Sequence, residues 1–526
     1  MRYVPYLLSI VATALFLYFA IYLSPWHYAG VVLFGAGAII GTYDLLQTKH
    51  SLLRNYPLQA HLRYFAEGVR PELMQYFVEK DTDGRPYDRN HRSIVYQRSK
   101  GVLDEKPFGT QLDVYKEEYE WLTHSIAPKP KSTEQFRTTI GGGGCKHPYS
   151  ASLLNVSAMS FGAISANAIM SLNRGAKLGN FYHDTGEGGC SKYHRKEGGD
   201  LVWEIGSGYF GCRNDDGSFN EDKFRDTAQI DNIKMVEIKV SQGAKAGHGG
   251  VLPGPKVSKE IAEARGVPEG VDCISPAFHT AFSSPKGLLE FTEKLRDLSG
   301  GKPAGFKMCI GKPLEFMSIC KAMIETDIYP DFIVIDGGEG GTGAGPIEFV
   351  DHMGSPLIDG LIFAQNVLVG SGVRDKIKLG ASAKITSAFQ MARVLALGAD
   401  WCNAARAFMF SVGCIQAMRC QTNTCPAGVA TQDQRRQRGL VVTDKSQRVY
   451  NYHKNTLDDL SQVVAACGLE HPGELTPQLL CHRTSVLHHK TYKDLFDWCT
   501  PNMFHEKDGD CSYSEGWSKA NADSFC

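Results

Sequence analysis

The sequence predicts an α/β protein, a (β/α)8 TIM barrel preceded by an N-terminal transmembrane helical hairpin, and three observations predict it. From about Asn155, short apolar or β-branched runs ending in Gly, Ser or Asp alternate with longer helical stretches over roughly 270 residues, the rhythm of a parallel sheet with crossover helices. Residues suited to chemistry stand just after the strand candidates, as they do at the catalytic face of such a barrel. Two uncharged apolar runs fill the first 43 residues. A doubly wound sheet is the alternative, but no GxGxxG follows an early strand.

The N-terminal runs are Val4 to Leu23, twenty residues without a charge, and the shorter Tyr28 to Tyr43. The first is about long enough to span a bilayer. Gly37 and Gly41 form a GxxxG pair that lets two helices pack closely. Arg2 lies before the runs and Lys49 and Arg54 after them, while the connecting loop carries only His27. The positive-inside rule then puts both ends in the cytoplasm, so the expected location is the inner (cytoplasmic) membrane with the catalytic domain facing the cytoplasm. A signal peptide or a buried helix pair is the competing reading, and the second apolar run argues against the former.

Residues 1–47 are therefore expected to form the hairpin, 48–150 an N-terminal extension or linker, 151–435 the barrel, and 436–526 a C-terminal helix and tail. In the extension, Ala127 to Gln135, "APKPKSTEQ", reads as a linker or extended arm. The strand candidates are "LLNVSAMS", "MVEIKVS", "VDCISP", "AGFKMCI", "DFIVIDGG", "KIKLGAS" and "DWCNAAR", with helices such as "SPKGLLEFTEKLRDL" and "SAFQMARVLALG" between them. "RVYNYHKNTLDDLSQVVAACGL" reads as one amphipathic helix ended by Gly468, and the last thirty residues as a loosely ordered tail.

Charge is balanced, 56 basic against 57 acidic residues, so nothing points to nucleic acid. Fifteen cysteines are spread along the chain rather than packed as in a secreted mini-domain. Their odd number and one cluster suit a reducing compartment with a metal site. That cluster is Cys414, Cys420 and Cys425, in "CIQAMRCQTNTCPAGVATQ". A tetrahedral zinc site needs a fourth ligand from elsewhere, and cysteines that merely pack are the bland alternative.

Several strand ends carry candidate chemistry. Asp336 to Pro346, "DGGEGGTGAGP", places six glycines after a buried run, so that backbone N–H groups can converge on an anion. "ASAK" and "NAARAF" end the next two strand candidates, and Arg406 there offers a fork of donors suited to phosphate. Small residues in "SAMSFGAIS", Ser157 to Ser165, let a flat ring lie against backbone. Gln242, Lys245 and His248 share the glycine-rich loop of "IKVSQGAKAGHGGVLPG". Lys307 lies inside a strand, where it must pair with a barrel carboxylate or face a group that becomes anionic.

Together these pieces resemble the FMN-binding synthase domain of glutamate synthase. The resemblance covers about Asn155 to Gln432 and rests on "AMSFGAIS", "TGEGG", "QGAKAGHGG", "LPG", "ISP", "GGTGA" and the cysteine stretch, in the same order. It implies a [3Fe–4S] cluster on Cys414, Cys420 and Cys425, which needs only three thiolates. It implies FMN across the barrel mouth, held through Ser160, Gly162, Gln242, Gly340, Gly341, Gly343, Ser382 and Arg406, with Lys307 facing the flavin N1 and C2 oxygen. Lys245 and Arg265 match the family's grip on 2-oxoglutarate, and Gln242 and His248 complete the candidate catalytic group. The implied reaction is reductive amination of a 2-oxo acid with ammonia or an amine.

The sequence departs from the family where a glutamate is His248, a glutamine is Val251 and a small polar residue is Arg406. Met1 opens directly into the hairpin, so no glutaminase domain is expected and the amine must come from elsewhere. An external electron donor protein is likewise expected. Two other readings stand beside this one: a related synthase using methylamine or another amine, and a membrane electron-transfer module without its own substrate.

Overall fold

The computed structural model describes residues 2–142, 144–506 and 511–525. The chain divides into two compact units, Met1–Arg85 and Pro86–Cys526. This division differs from the expected boundaries. The extension is split at residue 85, and residues 436–526 belong to the barrel unit.

In the first unit, α1 (Val4–Tyr22) and α2 (Tyr28–Leu46) are each long and apolar enough to cross a membrane. They pack closely because α2 offers glycine where α1 offers aromatic rings. A Cβ on Gly41 would stand 2.4 Å from Tyr6 Cδ2, and one on Gly30 only 2.2 Å from Phe16 Cδ1. At the end of α2 the fully buried Asp44 accepts from Leu58 N and bonds His61 Nε2 at 2.9 Å. That contact fixes where the helix Gln59–Leu73 begins.

The second unit is built on a closed eight-stranded barrel, β1 (Leu154–Val156), β2 (His183–Asp184), β3 (Leu201–Ile205), β4 (Ile233–Lys239), β5 (Ala304–Met308), β6 (Phe332–Asp336), β7 (Lys378–Ser382) and β8 (Trp401–Ala404). Each strand pairs in parallel with the next, and β8 closes on β1 through Cys402–Leu154 and Asn403–Asn155. Most of these strands are buried on both faces, which is why they read as apolar runs rather than as alternation. Trp203, Phe306, Phe332 and Trp401 are fully buried, each contributing roughly 1.5–3 kcal/mol of apolar burial.

One strand assignment is corrected and two barrel strands are added. "VDCISP" is not a barrel strand: Cys273–Ile274 pairs antiparallel with Val251–Leu252 in a small ribbon. β2 and β3 were not anticipated, the first because it is two polar residues long, the second because "LVWEI" carries the buried Glu204.

Helix boundaries follow capping chemistry. Ser165, Ser284 and Ser387 accept from the third residue beyond, satisfying one orphan N–H at each helix start. The helix Val442–Ala466 lays Val449, Tyr452, Thr456 and Leu460 on the barrel's helical layer, and Gly175 leaves room for Val449. The expected loose tail is packed over its described residues. Trp517 is buried, stacks on Phe504 at 4.9 Å, and Ser318 Oγ accepts from Asn521 N.

Candidate active site at the barrel mouth

The loops after the barrel strands enclose a cavity of about 1330 Å³ of atom-free space, counting its open mouth. Ser160, Gln242, Lys245, Arg265, Lys307 and Ser382 line it, as do Gly340, Gly341, Gly343 and Arg406. His248 and Gly162 do not. His248 turns away, with Nδ1 at 2.7 Å from Gly249 O and its ring edge-on to Phe349. Gly162, at φ +106°, stands behind Arg265 and leaves it space.

Backbone approach decides the shape of this mouth. Gly243 N donates to Asp336 Oδ2 at 2.8 Å, and a Cβ on Gly243 would lie 1.8 Å from Gly337 O, so only glycine lets these two loops touch. Arg406 lies across the glycine loop. Its Nη2 donates to Thr342 O at 3.0 Å, and a Cβ on Gly341 would meet the guanidinium at 2.7 Å.

One wall is cationic. Lys245 and Arg265 are both about 5% exposed. Burial drives Lys245 down to about 8, against the pull of Glu187. Arg265 donates to Phe161 O at 3.2 Å and lies over the Phe210 ring, while its Nε is buried without a partner. Glu187, not singled out from the sequence, is the carboxylate among these cations. It pairs with Lys239 at 2.9 Å, and although burial pushes it up, Lys239, Lys245 and Arg265 hold it near 2. Three cations against one carboxylate leave this wall in need of an anion.

Lys307 sits deeper. It is 3% exposed and ion-paired with Glu204, and its Nζ lies 3.2 Å from Glu237 Oε1. The internal ion pair raised as the alternative for this lysine is present, on a side chain that also lines the cavity. Burial alone would lower its pKa, but Glu204, Glu237, Asp184 and Asp336 keep it well above the usual range. Asp184, Glu204 and Glu237 have ligand atoms within 4.8 Å of one another, an arrangement that otherwise suggests a metal; the Lys307 ammonium supplies the cation there.

The cysteines line a second, smaller cavity of about 470 Å³. Gln416, Met418 and Asn423 take positive φ of 57°, 54° and 61°, winding the loop tightly enough to bring Cys414, Cys420 and Cys425 to one space. Tyr96 Oη donates to Cys414 O at 2.6 Å, and the Gln416 side chain bonds both backbone groups of Tyr87. Burial pushes Cys414 up to about 12 and raises Cys420, the latter opposed by Arg406 and Lys256. Cys420, Arg406, Met409 and Ala430 line both cavities, which therefore share a wall.

Comparison with known proteins now decides the family. Residues 132–470 match the family model described as the conserved region in glutamate synthase. The chain belongs to the glutamate synthase family. It is 37% identical over 481 residues to the glutamate synthase large subunit-like protein YerD of Bacillus subtilis, covering 84% of this chain and 91% of that one. It is 33% identical over 311 residues to the archaeal glutamate synthase [NADPH] of Methanocaldococcus jannaschii, covering 59% of this chain and 58% of that protein. Residues 132–470 include every lining residue of both cavities except Tyr87, and the whole helix Val442–Ala466, so this glutamate synthase-type enzyme carries nearly all of its candidate chemistry within the shared region.

Proposed function

We propose that this family member is a membrane-anchored FMN and [3Fe–4S] oxidoreductase that reductively aminates 2-oxoglutarate or a similar 2-oxo acid, using electrons from an external donor protein. The observation that carries this reading is the shared wall: Cys420 lines both the barrel-mouth cavity and the cysteine cavity. The mouth cavity brings the glycine loop, Arg406, Lys307, Lys245 and Arg265 around one space. When bound, FMN would supply hydride to an imine carbon and the cluster would supply single electrons.

The residues of the chain do the rest. The glycine backbone from Gly340 to Gly343, with Ser382 and Arg406, would hold a phosphate by N–H groups and a guanidinium fork. Lys307 would present buried positive charge to an electron-rich ring. Lys245 and Arg265 would bind the two carboxylates of the keto acid and orient its reacting carbon. Gln242 would contact the flavin or the substrate. His248, off the cavity wall, would contribute to loop shape rather than touch substrate. The apolar helices α1 and α2 would anchor the enzyme at the cytoplasmic membrane, with the barrel in the cytoplasm and a donor at the membrane within reach.

Val251 lines the cavity where the family resemblance implies a glutamine. This favours testing other amines, methylamine first. The decisive assay is anaerobic reoxidation of reduced enzyme with a panel of 2-oxo acids and amines. Acceleration that requires both a 2-oxo acid and an amine is expected. Absence of acceleration by every saturating pair would favour the electron-carrier alternative.

A further inference from the structure

Lys256 stands between the two cavities and has no part in the reading above. Its side chain is 2% exposed and lines the mouth cavity. Nζ donates to Ala163 O at 2.8 Å, on the loop after β1, and to Cys420 O at 3.1 Å, on the cysteine loop. No carboxylate pairs with it among the described residues. The ionisable groups facing it are the thiols of Cys420 and Cys425 and the guanidinium of Arg265. Two neighbouring contacts follow the same seam. Gln432 Nε2 donates to Gly162 O and Ile164 O, and Asn423 Nδ2 donates to Pro255 O.

A buried ammonium with only carbonyl partners is costly, because carbonyl dipoles return part of its hydration but none of its charge balance. Of the three other buried lysines, two have a carboxylate in contact, Lys307 with Glu204 and Glu237 and Lys239 with Glu187, and the third, Lys245, feels the pull of Glu187. Lys256 has thiols. Three thiolates holding a [3Fe–4S] core carry net negative charge, and that charge is the missing counterpart.

We infer that Lys256 is the buried counter-cation of an anionic iron–sulfur cluster on Cys414, Cys420 and Cys425, and the strut that ties the cluster loop to the flavin-side loop at Ala163. The inference rests on the cluster reading given above. Lys256 is a positioning residue. It acts on the cluster through charge and through the Cys420 carbonyl, and it donates no proton. Each electron added beside it deepens the local negative charge, so the ammonium favours the reduced state of the couple.

The test uses full-length enzyme purified anaerobically, with iron content and the cluster's midpoint potential read by electron paramagnetic resonance during titration with dithionite. Lys256→Met removes the charge at similar length. At a fixed potential it is expected to lower the reduced-to-oxidised ratio at least tenfold, which is a fall of about 59 mV for a one-electron couple. Lys256→Arg restores the charge and is expected to keep the potential near that of the unaltered enzyme. Should Lys256→Met not accumulate as folded protein, Lys256→Gln against Lys256→Arg gives the same contrast. If both members of the pair retain the original potential and iron, the inference is overturned while the cluster reading stands. If the unaltered enzyme holds no iron, the cluster reading itself falls, and this inference with it.

Discussion

Lys307→Met is expected to cost roughly 3–5 kcal/mol of stability near pH 8, the usual penalty for stranding buried charge. Lys307 neutralises a pocket in which Glu204 and Glu237 are 2% exposed and Asp184 1%. Removing it leaves only acids. The pH dependence follows from Asp184, whose folded pKa burial and Glu204 raise to about 7, and from Glu237, raised by burial. An aspartate is near 3.9 when unfolded, so the stability that goes with a protonated Asp184 is full below about 3.9 and is lost as pH rises through about 7. Lys307 lowers both pKa values, and its absence moves them up further. The variant is therefore expected to approach the unaltered protein near pH 5 and fall away from it toward pH 8. Urea unfolding at several pH values reads this directly. A deficit of equal size across that range would contradict it.

Arg265→Lys is expected to lower kcat/KM for the 2-oxo acid by roughly 10- to 100-fold, the loss of one charge-assisted hydrogen bond. The substitution keeps the positive charge but removes the planar fork that matches a carboxylate. It also gives up donation to Phe161 O, so thermal stability must be measured beside the kinetics. A rise in KM with kcat preserved would place Arg265 in binding the substrate's carboxylate. A fall in kcat with KM preserved would place it in orienting the reacting carbon. Unchanged kinetics with all substrates would remove it from the site.

The barrel was legible because most of its strands are buried on both faces. "AGFKMCI", "DFIVIDGG" and "DWCNAAR" show as apolar runs and become β5, β6 and β8. β2 was invisible for the opposite reason: His183 and Asp184 are polar, buried by closure of the barrel and not by their own character. Cys273 and Ile274 looked like a strand because they are one, although their partner is Val251–Leu252 and not the barrel. The same division runs through the site. The glycines and Lys245 stand in motifs that one loop contains entire. Glu187 pairs with Lys239 across strands, and Tyr87 reaches Gln416 from 329 residues away, so no local pattern announces either contact. Lys256 lies in a short turn whose meaning appears only when Ala163 and Cys420 converge on it. The tail misled because Ser, Asn and Asp outnumber its anchors, while Trp517, Ala520 and Ala522 still bury.

The central claim is that three thiols beside Arg406 hold an iron–sulfur cluster against a flavin in the barrel mouth. Quantifying iron and flavin in anaerobically purified full-length protein, alongside Cys420→Ala, tests it most directly. Iron and flavin in a ratio of about three to one are expected, with the iron lost and the flavin kept in the variant. Flavin without iron in the unaltered protein, or iron that survives Cys420→Ala, would contradict the account.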